Sequence, residues 1–517
     1  MNLDKLKGAP VLVVGAGIMG AGIAQVAAQA GHHVQLFDAR AGAAQQAAAR
    51  LGSTLDGLVA KGKLTADTAE ATLARIEPLA ALEELGRTWL VIEAIIENLD
   101  AKRALFQELE ALVGADCVLA TNTSSISVTS IAHGLQHPGR LVGMHFFNPV
   151  PLMKLVEVVS GLHTEAAVAQ AIFALSQAWG KVPVHARSTP GFIVNRIARP
   201  YYAETLALLH EQAATPQVLD ACLRAAGFRM GPCELMDLIG HDTNFAVTKS
   251  VYEANFHDKR YVPSPVQREM VEGGLLGRKS GRGFYRYQGD GAGIPPLPVA
   301  VHEAPATARE VTVHGDGAIA DFLHQATTHA LAAQGWGPAR ERDGGWTGLA
   351  IDGARLVLTD GRTAADVASE TDTIEVAVFD RPLRLPALAG AALAFAVPEG
   401  GNSGWGTQAA AWLAALGFAP LRMVDVPGLV VARTVAMLIN EAADAVQQGV
   451  CAPEAADTAM KLGVNYPAGP FEWLAGWSAQ GVVALLDVLD AHYRGERYRV
   501  SPWLRRRVAA ATATHLG

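Results

Sequence analysis

Cysteine is scarce in this chain of 517 residues: Cys117, Cys222, Cys233 and Cys451 are its only four, and no two stand at C-x-x-C spacing. That scatter argues against a disulfide framework and against a metal centre, and it fits a reducing cytoplasm. Charge is sparse too. Charged residues make up 18% of the chain against 50% apolar ones, the formal net charge is −8, and no basic tract stands out. A general binder of nucleic acid or of membrane surfaces needs such a tract, so neither is expected as a partner. The N-terminus has no basic region leading into an apolar stretch and cleavage site. The longest apolar stretch, 11–30, is broken by four glycines and by Gln25 and Gln29. It reads as strand, turn and helix, not as a membrane span.

The length calls for three or more domains. "APVLVVGAGIMGAGIAQVAAQAGHHVQLFDAR" opens with a β-branched run at Val11–Val14, then a glycine turn, a small-residue helix and a second apolar run ending at Asp38. This is a βαβ unit. Strands are expected again at 89–95, 117–123, 141–147 and 155–160, the earlier ones separated by helical patterns. The expected fold is α/β plus all-α. An NAD-binding Rossmann-type, doubly wound sheet covers 1–185, and strand signals stop near 186. A helical domain follows over 186–288, then a Pro/Gly/Ala-rich linker over 289–308.

Beyond the linker the chain repeats itself in worn form. "VTVHGDGAIADF" resembles "VLVVGAGIMGAG", with Gly315 and Gly317 in place of Gly15 and Gly17, but the third glycine is Ala320. No second strand ending in an acid is evident there. "VPGLVVARTVAMLINEAADAVQQG" at 426–449 echoes "TPGFIVNRIARPYYAETLALLHEQ" at 189–212, and "AGPFEWLAGWS" echoes "MGPCELMDLIG". A reduced Rossmann-like domain at 309–420 and a second helical domain at 421–517 are therefore expected.

In the first copy, Gly15, Gly17 and Gly20 follow a strand and open a helix, and Asp38 ends the next strand. Gly15 permits the turn, Gly17 lets a pyrophosphate approach the backbone, and Gly20 lets the helix pack on the sheet. The helix N-terminus adds free N–H groups and positive potential. Ile18 and Met19 lie on the same turn. A carboxylate at Asp38 accepts both adenosine ribose hydroxyls and repels a 2′-phosphate, favouring NAD over NADP. Arg40 stands close enough to keep NADP open, and the turn alone would also suit FAD.

"VGMHFFNPVPLMKLVEVV" holds one histidine and one glutamate. If its two strands fold back through "NPVPLMK", His145 lies opposite Glu157, with Cβ atoms about 4.5–5.5 Å apart. A neutral imidazole is suited to taking a hydroxyl proton near pH 7, and a carboxylate fixes its tautomer. The plainer alternative is a core histidine with Glu157 on a solvated edge.

Taken together, "GAGIMGAGIAQVAAQAGHHVQLFD", "EAIIENLDAKRALF", "TNTSSISVTSIA", "HFFNPVPLMKLVEVV", "TPGFIVNR" and "GRKSGRGFY" resemble, in order, the L-3-hydroxyacyl-CoA dehydrogenase family across residues 8–288. The longer layout resembles the bacterial members of phenylacetate catabolism. The resemblance implies NAD-dependent, reversible oxidation of an (S)-3-hydroxyacyl-CoA, either 3-hydroxyadipyl-CoA or 3-hydroxybutyryl-CoA. It makes His145 the base, Glu157 its orienter, and Ser124 and Asn195 the groups that hold the reacting oxygen, in a cleft between domains. Glu97 and Lys102 become nicotinamide-ribose contacts, Asn122 and Asn148 cofactor-side contacts, and Lys279 a neighbour of the nicotinamide end. Ser53 and Lys61, with Lys63, fall where the family binds the adenine end of coenzyme A. Several of these residue types have plainer uses. Ser124 or Asn195 could cap a helix, Glu97 and Lys102 could begin an exposed one, and the lysines could be merely solvated. Arg196, Arg199 and Arg229 are candidate partners for a substrate's terminal carboxylate.

The second module reads Ala432–Arg433 where the first reads Asn195–Arg196, and the worn Rossmann copy has no HFFNP, so a single active site is expected. The second helical copy could stand in for a partner subunit's; a homo-oligomer stays open. Two rival readings carry the same glycine turn: a β-hydroxyacid dehydrogenase using a lysine, and a catalytically silent dinucleotide-binding protein. No hydratase-like region precedes the turn, which argues against a fused β-oxidation enzyme.

Overall fold

A computed structural model describes the chain except residues 1–5, 7, 288–304, 306, 372, 401–402 and 516–517. Most of the expected linker, 289–308, lies outside the described residues. Two compact units emerge. One combines Met1–Arg196 with Gln448–Val464; the other combines Ile197–Gln447 with Asn465–Gly517. The second helical module expected at 421–517 is thus divided between them.

The first unit is built on eight strands: β1 (Val11–Val14), β2 (Val34–Phe37), β3 (Ile76–Pro78), β4 (Leu90–Glu93), β5 (Val118–Thr121), β6 (Leu141–Phe146), β7 (Leu155–Ser160) and β8 (Val182–Arg187). They form one sheet in the order β3-β2-β1-β4-β5-β6-β7-β8. All neighbours are parallel except β6 and β7. The central strands β1, β4 and β5 are buried throughout, as strands covered on both faces must be. Helices Ile18–Gln29, Ala43–Ala60 and Ala66–Leu73 join the same core through Ile23, Leu51, Leu55 and Ala69. Sequence pattern misses β3 and β8, which are the two sheet edges. "IEP" is only three residues long, and "VPVHAR" leaves Val182, His185 and Arg187 exposed and carries Pro183, a residue tolerated where no inner ladder bond is needed. Strand structure therefore runs on to Arg187.

The second unit holds a reduced sheet of β9 (Val311–His314), β10 (Ala339–Glu341), β11 (Gly348–Ile351), β12 (Ala354–Leu358), β13 (Val376–Phe379), β14 (Ala391–Ala396) and β15 (Phe418–Arg422). Its order is β10-β9-β11-β12-β13-β14-β15. The expectation of no second strand ending in an acid is wrong: β10 pairs parallel with β9 and ends at Glu341. It escapes notice because "ARE" is a short, polar edge strand with no apolar run.

Helices Arg199–His210 and Val431–Gln447 pack together in this unit. Their contacts are reciprocal. Arg497 and the Tyr498 hydroxyl donate to buried Glu204 at 3.0 and 2.9 Å. Arg260 and the Tyr261 hydroxyl donate to buried Glu441 at 3.3 and 2.6 Å. Each member of one set stands 237 residues from its counterpart in the other. Like residues meeting across a pseudo-two-fold is the signature of an isologous interface, here formed inside one chain.

Candidate active site

The glycine turn is fixed by close approach. A Cβ on Gly15, whose φ is +103°, would lie 2.5 Å from the Ala94 carbonyl oxygen, and one on Gly20 would lie 1.7 Å from that of Gly15. Gly17 begins the helix Ile18–Gln29 and has nothing within 4 Å of where its Cβ would be, so its face is open to a ligand. Just beyond β2, Asp38 accepts from the Ala16 N–H at 2.8 Å and from Arg40 Nε at 3.0 Å. Burial pushes the Asp38 carboxyl up, but Arg40 and the two backbone donors outweigh it and hold the group below its ordinary value. An open glycine, a free helix N-terminus and an ionised acid at the next strand end suit a dinucleotide whose ribose needs acceptors.

Beneath the sheet's carboxyl edge lies an acid that sequence reasoning passed over. Glu93, wholly buried at the end of β4, accepts from Lys102 at 2.5 Å, from the Thr121 hydroxyl at 2.6 Å and from the Ile95 N–H at 2.7 Å. Its signal was a lone glutamate inside "WLVIEAI". Lys102 is buried against it, not at an exposed helix start, and reaches Glu97 at 3.4 Å. Glu97 gathers the TNTSS loop: Thr123 Oγ1 donates at 2.7 Å, the Ser124 and Ser125 N–H groups at 2.9 and 3.0 Å, and Ser124 Oγ at 3.2 Å. Burial raises the Glu97 carboxyl, yet Lys102 and these donors bring it below its ordinary value. The helix cap in this loop is Ser127, not Ser124. Asn122 Oδ1 accepts the Phe146 N–H at 2.9 Å and ties β5 to β6.

β6 and β7 fold back through "NPVPLMK", and the ladder sets His145 directly opposite Glu157. Nδ1 of His145 meets Oε2 of Glu157 at 2.5 Å. The plainer alternative, with Glu157 on a solvated edge, does not hold, because Glu157 is fully buried. Its other oxygen accepts the N–H groups of Ile193 and Val194 at 3.0 and 2.9 Å. The imidazole packs against Phe147 and Phe192, ring centroids 4.6 and 5.8 Å away, so only Nε2 is left to exchange a proton. Asn195 follows Val194 in the same turn.

Other expected residues lie elsewhere. Asn148 is exposed in the loop after β6. Ile18 and Ile96, at the ends of β-to-helix turns, expose 79% and 70% of their surface, and Ile96 was not anticipated. Ser53 is exposed on the helix Ala43–Ala60, Lys61 caps its C-terminal end, and Lys63 follows, also exposed. Lys279, in the second unit, pairs with Asp242 at 2.5 Å. Asp237 in that unit accepts the N–H groups of Phe284 and Tyr285 and the Tyr287 hydroxyl, which gives the "GRKSGRGFY" motif a structural task. Arg196 is buried and donates to Gln448, Arg199 is buried over the ring of Tyr202, and Arg229 is exposed. Among the described residues no group of three or more potential metal-binding side chains occurs, and no single helix is long and apolar enough to cross a membrane.

The worn copy has kept the scaffold and lost the pair. Ala394 faces Leu421 as Glu157 faces Val184, and Asp380 donates its N–H to the Ala394 carbonyl, in the place of His145. Asp380 itself now accepts the N–H groups of Val430 and Val431, the counterparts of Ile193 and Val194. One carboxylate has replaced the histidine and glutamate together, as a cap for the following helix.

Comparison with known proteins agrees with this geometry. Over 498 residues the chain is 44% identical to 3-hydroxyadipyl-CoA dehydrogenase of Escherichia coli K12, covering 96% of this chain and 97% of that one. The chain belongs to the 3-hydroxyacyl-CoA dehydrogenase family. Residues 10–189 match that family's NAD binding domain, and its C-terminal domain matches twice, at 191–287 and 428–515. Residues 356–427 match the 3-hydroxybutyryl-CoA dehydrogenase reduced Rossmann-fold domain. A crystal structure of 3-hydroxybutyryl-CoA dehydrogenase from E. coli K12 superposes with a TM-score of 0.86 at 42% identity, covering 98% of this chain and 99% of that one. A probable 3-hydroxybutyryl-CoA dehydrogenase of Bacillus subtilis is 40% identical over 54% of this chain and 97% of its own length. Family membership makes NAD the cofactor, and the site fits it: Gly17 is bare where the pyrophosphate must approach, and Asp38 is ionised where the ribose must be held.

Proposed function

We propose that this family member oxidises (S)-3-hydroxyacyl-CoA to 3-oxoacyl-CoA, reversibly, with a single active site in its first unit. The observation that carries the reading is the buried His145–Glu157 pair at the carboxyl edge of a sheet that opens with a dinucleotide turn. NAD, when bound, supplies the acceptor for the hydride leaving C3. His145 takes the hydroxyl proton at Nε2 while Glu157 holds the Nδ1 proton and steadies the imidazolium that forms. Ser124 and Asn195 hold the reacting oxygen. Asp38, Glu97 and Lys102, with Asn122 and Asn148, line the cofactor, and the exposed Ser53, Lys61 and Lys63 meet the phosphates of coenzyme A. The relative matched along almost its full length favours 3-hydroxyadipyl-CoA; 3-hydroxybutyryl-CoA is the second substrate to test. Four free cysteines, three of them buried, support a cytoplasmic setting. The reciprocal pairing of helical modules supports the second module standing where a partner's would, with assembly read by light scattering.

A panel of 3-hydroxyacyl-CoAs, followed by NADH absorbance, tests the reaction. His145→Gln is expected to lower turnover about 10²–10⁴-fold with NAD binding retained. No NADH formed from any member of the panel would favour the silent dinucleotide-binding alternative.

A further inference from the structure

Two helices hold corresponding places on the two sheets. Pro453–Gly463 lies on β7 and β8 of the first, and Pro216–Ala225 lies on β14 of the second. Gly463 corresponds to Ala226 and Val194 to Val431, each 237 residues apart. Strand pairing adds a third correspondence: Leu155 faces Val182 as Ala392 faces Ala419, and those two partners are again 237 apart.

Volume has been exchanged between strand and helix at this contact. Around Asp380, where no histidine remains, Ala226, Ala392 and Val431 share the lining of a cavity of only about 20 Å³. Under the His145–Glu157 pair the strand carries leucine and the helix carries glycine. A Cβ on Gly463 would come 2.8 Å from Leu155 Cδ2 and 2.9 Å from Val194 Cγ2. Leu155 can turn its far methyl aside. Val194 is branched at Cβ and has little rotamer freedom, so an added methyl moves its backbone instead. That backbone N–H donates to Glu157 at 2.9 Å. The segment bearing Gly463 is anchored to the same unit, since the Arg187 N–H donates to the Val450 carbonyl at 2.9 Å and Arg196 donates to Gln448 at 2.8 Å.

We propose that Gly463, delivered from the C-terminal module, is a positioning residue for the His145–Glu157 pair: having no side chain, it lets Val194 and Leu155 close on the carboxylate that steers the base. This inference rests on the proton-transfer role proposed for that pair. A displacement of a few tenths of an ångström at a base costs about tenfold in rate, given roughly 10²-fold for 1 Å.

The test is a cycle of steady-state measurements on the full chain: Gly463→Ala, His145→Gln, both together, and Gly463→Ala with Val194→Ala as the rescue. Gly463→Ala is expected to lower kcat about tenfold with KM for NAD unchanged. It should add no further loss to His145→Gln, because the pair is already broken, and Val194→Ala should restore kcat by removing the branched methyl that the new Cβ strikes. Gly463→Ala within about twofold of wild type would overturn the proposal, as would losses that multiply independently with those of His145→Gln. Should Gly463→Ala alone fail to fold, the double variant decides. If folded and NAD-binding, it supports the proposal when kcat is near that of wild type and refutes it when kcat stays low. Failure of the underlying reading looks different: His145→Gln by itself would then keep full turnover.

Discussion

Glu157→Gln isolates the electrostatic half of the proposed pair. In the native site one carboxylate oxygen meets His145 Nδ1 at 2.5 Å and the other takes two backbone N–H groups, from Ile193 and Val194. An amide has one oxygen for these demands. The two N–H groups claim it, because a buried donor left unpaired costs about 1–3 kcal/mol. The amide NH₂ then faces Nδ1 and donates to it, which drives the imidazole proton to Nε2, the atom that must accept the substrate's. The shape of the site is kept and its tautomer is wrong. For the equivalent change in a serine protease triad the loss is about 10⁴ in kcat, or roughly 5.4 kcal/mol at 1.36 kcal/mol per decade. The expected outcome here is a fall of about 10³–10⁴ in NADH formation, with NAD affinity, read by quenching of protein fluorescence, unchanged. A variant within about tenfold of wild type would refute the argument, because it would show that Nε2 still accepts a proton without the carboxylate.

Asp38→Ser removes the acid that accepts from Ala16 and frees Arg40, now bound to it at 3.0 Å; affinity for NAD should fall and the preference over NADP narrow by about tenfold or more, measured as a ratio of kcat/KM values. Glu441→Gln removes one of the two carboxylates that pair with buried Arg260, leaving Asp444, and takes the charge from the acceptor of the Tyr261 hydroxyl; it is expected to cost about 1.5–3 kcal/mol in chemical denaturation, as losing a buried hydrogen bond to a charged group does. Burial lowers Lys181 to about 8 from an ordinary 10.5, so between those values the unfolded chain binds the extra proton. Stability should therefore rise with pH across that window, and Lys181→Met should flatten the rise. Deleting 421–517 uncovers β7 and β8; the product is expected to aggregate and lose turnover, and a soluble, monomeric, fully active truncation would contradict the structural role given to the second module.

What the sequence made legible follows from how local each signal was. The glycine turn, Asp38 and the β6–β7 fold-back are specified within a few dozen residues, and the register of His145 against Glu157 could be counted from the loop between them. The edge strands β3, β8 and β10 were not legible, because an edge needs neither a continuous apolar run nor length. Lys102 illustrates a second limit: its spacing from Glu97 was visible, but its burial against Glu93 depends on β4 and β5 lying side by side. The donors that hold Glu157 come from another stretch of chain, and the glycine beneath them from more distant sequence still, so only folding brings those facts together.

The exchange of arginine and tyrosine across Glu204 and Glu441 has a consequence for how the protein behaves in the cell. Two separate subunits joined by such a handshake part when diluted, in proportion to their concentration. Here the tether makes the encounter unimolecular, so scarcity cannot part the hands and neither half can be traded for another chain's.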